Sequence, residues 1–253
     1  MNDPVNSTIL LLDIEKYSER DDVEQAFLRR MLYDLTDRAL LAAGIDETRR
    51  RRADRGDSVM ELIDANCSVI ALLRALLTEM SARLRSQNRR ASASARMRLR
   101  GVVASGFVAV DPLDGWVGSD LNHACRLLDA EALREALRAR PDDFALCVSD
   151  TVYQGVVRHS HTGVPAEEFR SVTVDSKNGP LDAWLHGPLP QEGPQGVYAS
   201  PAAPQSAPGP ASAPGFGGAP ITGGVFGGTN HGIGGGTFHG NVSFGDGGRG
   251  ERR

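Results

Sequence analysis

Two aspartates are the residues best placed to do chemistry. Asp13 follows four apolar residues in the run TILLLD, and Asp57 lies in a Gly56-Asp57 turn between strand-forming stretches. Taken alone, Gly-Asp is ordinary hairpin chemistry; a carboxylate that closes an apolar strand is harder to dismiss. If the two meet, they repel one another unless a cation sits between them. Oxygen donors suit Mg²⁺ or Mn²⁺, and Mg²⁺ keeps coordination places for substrate phosphates.

Whether they meet depends on the elements that carry them. Residues 8–12 read as a fully buried strand. Residues 22–43 set Val23, Phe27, Met31, Leu32, Leu35, Leu40 and Leu41 at helical spacing, with Asp21 or Asp22 as N-cap and Gly44 as stop. Two strands follow, near 47–54 and 58–63, turning at Gly56-Asp57. Residues 67–86 predict a second amphipathic helix, and 97–110 a long strand with a break near Gly101 or Gly106 as an option. A helix over 119–139, a strand over 144–148 and a short helix near 150–157 come next. Strands over 169–175 and 181–185 close the chain around the turn SKNG.

Strand, helix, strand, strand, helix, strand is the split βαβ, ferredoxin-like plan (βαββαβ) of an α+β fold, enlarged here by the later elements. The first two strands run parallel, because a helix crosses over between them. The hairpin after the second strand therefore turns at the end of the sheet where the first finishes. Asp13 and Asp57 are expected to converge there.

Composition narrows the function classes. The net charge is -4, from 28 Lys+Arg and 32 Asp+Glu, which gives no overall pull toward nucleic acid or membrane. No apolar run approaches the roughly 18 residues of a membrane span. The N-terminus lacks a basic leader and meets Asp13 within its apolar stretch, unlike a signal peptide. Cys67, Cys125 and Cys147 form neither a disulfide framework nor a metal pair, so a cytoplasmic setting is expected, with Cys125 a small hydrophobe. All the basic residues except Lys16 and Lys177 are arginine. In the run Arg49 to Arg52 alternate side chains point to opposite faces of a strand, one of them either solvated or lining a ligand cleft. Aromatics do not interleave with this run, so nucleic acid is not an expected partner. His123 reads as a helix-surface residue.

LLLDIEKYS, with its aromatic three residues after Ile14, resembles the first metal motif of the class III nucleotidyl cyclases, and RGDSVMELI their second metal hairpin. MRLRGVVASGFVAVDPLDGWVGSDLNHACRLLDA resembles that family's strand, excursion, Val-Gly turn and Asn-x-x-x-Arg helix, and FRSVTVDSKNGPLDAWL its closing hairpin. The resemblance covers roughly residues 7–187, in the correct order and spacing, and is nearest to a divergent actinobacterial set. It implies a homodimer with shared active sites that turn a nucleoside triphosphate into a 3′,5′-cyclic nucleotide and pyrophosphate. Asp13 and Asp57 would bind two Mg²⁺ or Mn²⁺ ions, with the Ile14 carbonyl as a further ligand. Gly56 and Lys177 would contact substrate, Lys177 at the triphosphate. Asn122 would orient the ribose and Arg126 would neutralise the α-phosphate; residues four apart share a helix face. The base-reading positions depart from the pattern: they are Ala53 and Gly115. Either other residues read the base, or another nucleotide is used, or the domain binds nucleotide without cyclising it.

Beyond this domain, residues 1–188, the composition changes. Residues 189–220 are rich in Pro, Ala, Gly and Ser and read as a disordered linker. Residues 221–253 are a glycine-rich tail, in which GVFGGTN and GTFHGNV recur with a period of 12. Residues 221–246 weakly resemble the Gly/Asn-rich amyloid signalling motifs of bacterial immune-type proteins, which would recruit a protein partner. A flexible low-complexity end is the alternative.

Overall fold

The computed structural model describes residues 3–113, 115–175 and 179–187. Lys177 and everything beyond 187, including the linker and the repeat, lie outside the described residues. Eight strands form one sheet: β1 (Val5–Ile14), β2 (Arg50–Asp54), β3 (Ser58–Asp64), β4 (Leu99–Val110), β5 (Trp116–Val117), β6 (Phe144–Ser149), β7 (Phe169–Val174) and β8 (Leu181–His186). Their order is β2-β3-β1-β4-β6-β8-β7, with the short β5 paired to the end of β4. The first four of these, β2-β3-β1-β4, are the expected ferredoxin-like core; β6 adds in parallel to β4, and the β7–β8 hairpin completes the edge.

β1 is central because it is apolar on both faces. Ile9 and Leu11 turn to one side, Leu10 and Leu12 to the other, and all four are fully buried. The Leu10 face packs against helices α1 (Asp22–Ala42), α2 (Val69–Ala75) and α3 (Ser81–Asn88). The Ile9 face packs against α4 (Ser119–Asp129) and α5 (Glu131–Ala139). A final helix, α6 (Asp150–Gly155), follows β6. Of the two candidate N-caps for α1, Asp21 serves: its carboxylate accepts from the Glu24 amide at 2.8 Å.

Four expected elements differ in detail. The helix over 67–86 is interrupted by a π-helical turn, Leu76–Met80, where the Ser81 hydroxyl donates to the Leu76 carbonyl at 3.1 Å. The helix over 119–139 is two helices, because Ala130 leaves helical geometry (ψ 136°). The strand over 47–54 starts only at Arg50, after a 3₁₀ turn capped by Asp46. The strand over 97–110 is unbroken at Gly101 and Gly106. Among the described residues no helix is long and apolar enough to cross a membrane.

Candidate active site

Asp13 falls on the α4–α5 side of β1, next to the strand's end and only 8% exposed. β3 lies antiparallel beside it, with Ser58 opposite Asp13, so the β2–β3 hairpin ends alongside. The turn is built from local chemistry. The Asp54 carboxylate accepts from the Gly56 amide at 2.8 Å, and Arg55 N donates to Ser58 O at 3.0 Å. Gly56 has φ +85°, a conformation that costs an L side chain roughly 1–2 kcal/mol. The Ile14 amide then donates to the Asp57 carbonyl at 3.1 Å. The fold thus brings Asp13, Ile14, Gly56 and Asp57 to one end of the sheet, with Asp57 exposed.

Burial drives the Asp13 carboxyl up to about 6, against the opposing pull of Arg100, and the charges of Asp57 and Asp129 add to the rise. Arg100, on β4, is directly opposite Asp13 in register and hydrogen-bonds its carboxylate. Its other terminal nitrogen donates to the Leu128 carbonyl in the last turn of α4, at 3.2 Å. Neither Arg100 nor Asp129 emerged from sequence reasoning. The available signal was the alternation Arg98-Leu99-Arg100, which puts both arginines on one face of a strand antiparallel to β1. The second pair is real too: Arg98 is 3.3 Å from Glu15.

Asn122 and Arg126 share a face of α4, Asn122 exposed and Arg126 half-buried. Among the described residues no hydrogen bond or ion pair joins either of them to Asp13 or Asp57. Arg126 Nη1 is buried without a hydrogen-bond partner among the described residues. His123 and Cys125 are half-buried, and Cys125 packs against the core under α4, where burial raises its thiol pKa.

The base-reading positions have structural explanations. Ala53, opposite Met60, packs against the same core. Gly115 donates its amide to the Asp111 carboxylate at 2.7 Å, and a Cβ there would collide with that carboxylate. A base-reading side chain at 115 would have to displace Asp111 from its turn.

The basic run divides as alternation requires: Arg51 is exposed to solvent, while the other face is occupied by ion pairs. Arg50 and Arg52 turn toward α1 and pair with Glu61, fully buried on β3, and with Asp37 at 2.7 and 2.6 Å. Arg52 also lies over the Tyr33 ring, 4.7 Å from its centroid.

No protein-family model matches the sequence, and no curated protein does. Solved structures do match. An adenylate/guanylate cyclase/hydrolase from Silicibacter pomeroyi is 22% identical, covering 74% of this chain and 99% of its own, with a TM-score of 0.52. A bacterial light-regulated adenylyl cyclase is 15% identical, covering 73% of this chain and 91% of its own, with a TM-score of 0.51. The chain has a class III nucleotidyl cyclase-like fold.

Proposed function

We propose that this chain is a divergent nucleotidyl cyclase, acting as a homodimer on a nucleoside triphosphate. The observation that carries this is the meeting of Asp13 and Asp57 at one end of the sheet, inside a cyclase-like fold. The donors present fit a hard divalent cation. Asp13, the Ile14 carbonyl and Asp57 are all oxygen donors, and a cation bound there would offset the burial of Asp13 and the neighbouring charges of Asp57 and Asp129. Two Mg²⁺ or Mn²⁺ ions bound there would supply Lewis-acid activation of the ribose 3′-hydroxyl and charge neutralisation at the phosphates.

The chain's own groups do the rest. Arg100 and the tie from Ile14 to Asp57 hold the two carboxylates in register. Asn122 and Arg126 act across the dimer, which accounts for an Arg126 nitrogen that is buried without a partner among the described residues. Arg126 faces the charge that develops on the α-phosphate, and Asn122 holds the ribose. Lys177 and the backbone at Gly56 contact the phosphates. Exposed apolar side chains at the β4–β5 corner, Phe107, Leu113 and Val117, suit a surface covered by a second copy.

Incubating the protein with each of the four ribonucleoside triphosphates and Mn²⁺ tests the proposal. A cyclic product from wild type and none from Asp57→Ala supports it. A second reading, a nucleotide-sensing or dimerisation module without catalysis, is favoured by Arg100 already sitting on Asp13 and by the missing base-reading side chains. Its tail, residues 221–246, would recruit a protein partner. Metal-dependent nucleotide binding with no product from any of the four nucleotides selects that reading.

A further inference from the structure

Residues 89–96, RRASASAR, join α3 to β4 and take no part in the candidate active site. One buried side chain closes this loop at its base. Asn88, 6% exposed, donates to the Met97 carbonyl at 2.6 Å and accepts from the Met97 amide at 2.9 Å. That two-way bond seats the ends of the loop side by side, so Arg89 and Arg96 flank the same junction. Between the ends the chain meets solvent: Arg89, Arg90, Ser92, Ala93 and Arg96 are all exposed.

The loop holds three arginines and no acid. The arginines just before it are paired, Arg83 with Glu79 and Arg85 with Asp142. Among the described residues the side chains of Arg89, Arg90 and Arg96 have no polar or aromatic partner. Ser92 is the only serine or threonine in the chain with arginine both two and three residues before it. Its backbone lies near polyproline II (φ -59°, ψ 163°), an extended form that a peptide-binding groove can take. Its hydroxyl has one polar contact, the Ser94 hydroxyl at 3.3 Å. The neighbouring serines are less available. Ser86 lies inside α3, and Ser94 is half-buried, with its carbonyl held by Arg20.

We propose that Ser92 is a phosphorylation site, modified by a serine/threonine kinase whose peptide groove is acidic. Arg89 and Arg90 supply the charge that such a groove selects, and the exposed hydroxyl supplies the nucleophile. The step forms the Ser92 Oγ–P bond and breaks the bond from the γ-phosphorus of ATP to its bridging oxygen. ADP leaves, and the hydroxyl proton passes to the kinase's base. The product carries about 1.5–2 negative charges in a loop that had only positive ones. Guanidinium groups match phosphate oxygens in charge and in fork geometry, so Arg96, across the Asn88–Met97 junction, becomes a partner for the phosphoserine. The modification therefore draws the loop together. This assignment holds whether or not the chain cyclises nucleotides.

Incubating the full, folded chain with Mg²⁺, ATP and the catalytic subunit of protein kinase A, as an arginine-selecting probe kinase, tests it. Mass spectrometry should place the phosphate on Ser92, and Ser92→Ala should lose it. The double variant Arg89→Gln, Arg90→Gln should be phosphorylated at least ~10-fold more slowly, because both charges that guide docking are gone. All of these side chains are exposed, so the unmodified variants should keep the wild-type melting temperature. No phosphate on wild type, label placed elsewhere than Ser92, or an unchanged rate in the double variant overturns the assignment. Phosphorylated wild type should melt above the unmodified protein at low salt. Arg96→Gln, which follows the serine, should be phosphorylated at the wild-type rate yet lose that gain. A gain that survives in Arg96→Gln, or no gain at all, overturns the phosphate–arginine contact.

Discussion

The Ile14 amide donates to the Asp57 carbonyl at 3.1 Å, so the strand that ends beside Asp13 is tied to the hairpin that carries Asp57. The backbone of Asp57 is therefore held beside the end of β1, and that geometry rests on the left-handed Gly56 (φ +85°). A Cβ at Gly56 would meet nothing within 4 Å, so a substitution there tests conformation alone. Gly56→Val should cost roughly 1–2 kcal/mol in urea unfolding and lower product formation. Gly56→Asn, which tolerates the left-handed region, should lose less of both. Equal effects from the two would mean that the turn does not position Asp57.

A shared active site makes a quantitative prediction about mixtures. Asp57→Ala and Arg126→Ala should each be inactive as homodimers. Refolded together in equal amounts, they form heterodimers in half the population, each with one intact site and one doubly defective site. Recovered activity should approach about one quarter of wild type. A mixture as dead as its components would place Arg126 outside the site, or the site within a single chain.

Much of this was readable in the sequence, because it follows from pattern and topology. Four apolar residues before Asp13 required a strand buried on both faces, and the crossover helix then required the hairpin turn to lie beside that strand's end. The Arg98-Leu99-Arg100 alternation showed only that Arg100 shares a strand face with Arg98; its pairing with Asp13 depends on the register between β1 and β4, which no local pattern fixes. The break at Ala130 was hidden for a related reason: LLDAEALREAL keeps helical propensity throughout, and packing overrides it. α4 lies over β1 and β4, while Leu133, Ala136 and Leu137 of α5 join Ala145 and Cys147 of β6 in the core. The destination of Arg50 and Arg52 did have a signal that went unused. Glu61 interrupts the apolar strand SVMELI at an inward position, and a carboxylate there requires a cation.

That cluster predicts a stability effect separate from activity. Glu61 is fully buried and accepts from both Arg50 and Arg52. Glu61→Ala strands two guanidinium groups against α1 with only the half-exposed Asp37 as partner, and should cost about 3–5 kcal/mol by urea denaturation. Replacing Glu61, Arg50 and Arg52 together with leucine should recover most of that loss. If the single variant is as stable as wild type, the cluster is not a structural element of the sheet edge.

Proton competition at Asp13 gives the pH dependence. Its carboxyl titrates at about 6 in the folded protein, against 3.8 for an ordinary aspartate. Between those values the folded state holds a proton that the unfolded chain has lost. Metal-free stability should therefore fall as pH rises from about 4 to about 6, and the contribution should level off above that. The slope should be missing in Asp13→Asn. A divalent ion needs the deprotonated form, so Mn²⁺ affinity should weaken as pH drops through about 6. Asp57 is one of the charges that raise the Asp13 pKa, so Asp57→Asn should move the Asp13 titration to lower pH while weakening Mn²⁺ binding overall. Thermal melts in EDTA from about pH 4 to about pH 7, and Mn²⁺ titrations from about pH 5 to about pH 8, measure the two effects. An affinity that stays flat across that range would remove Asp13 from the metal site.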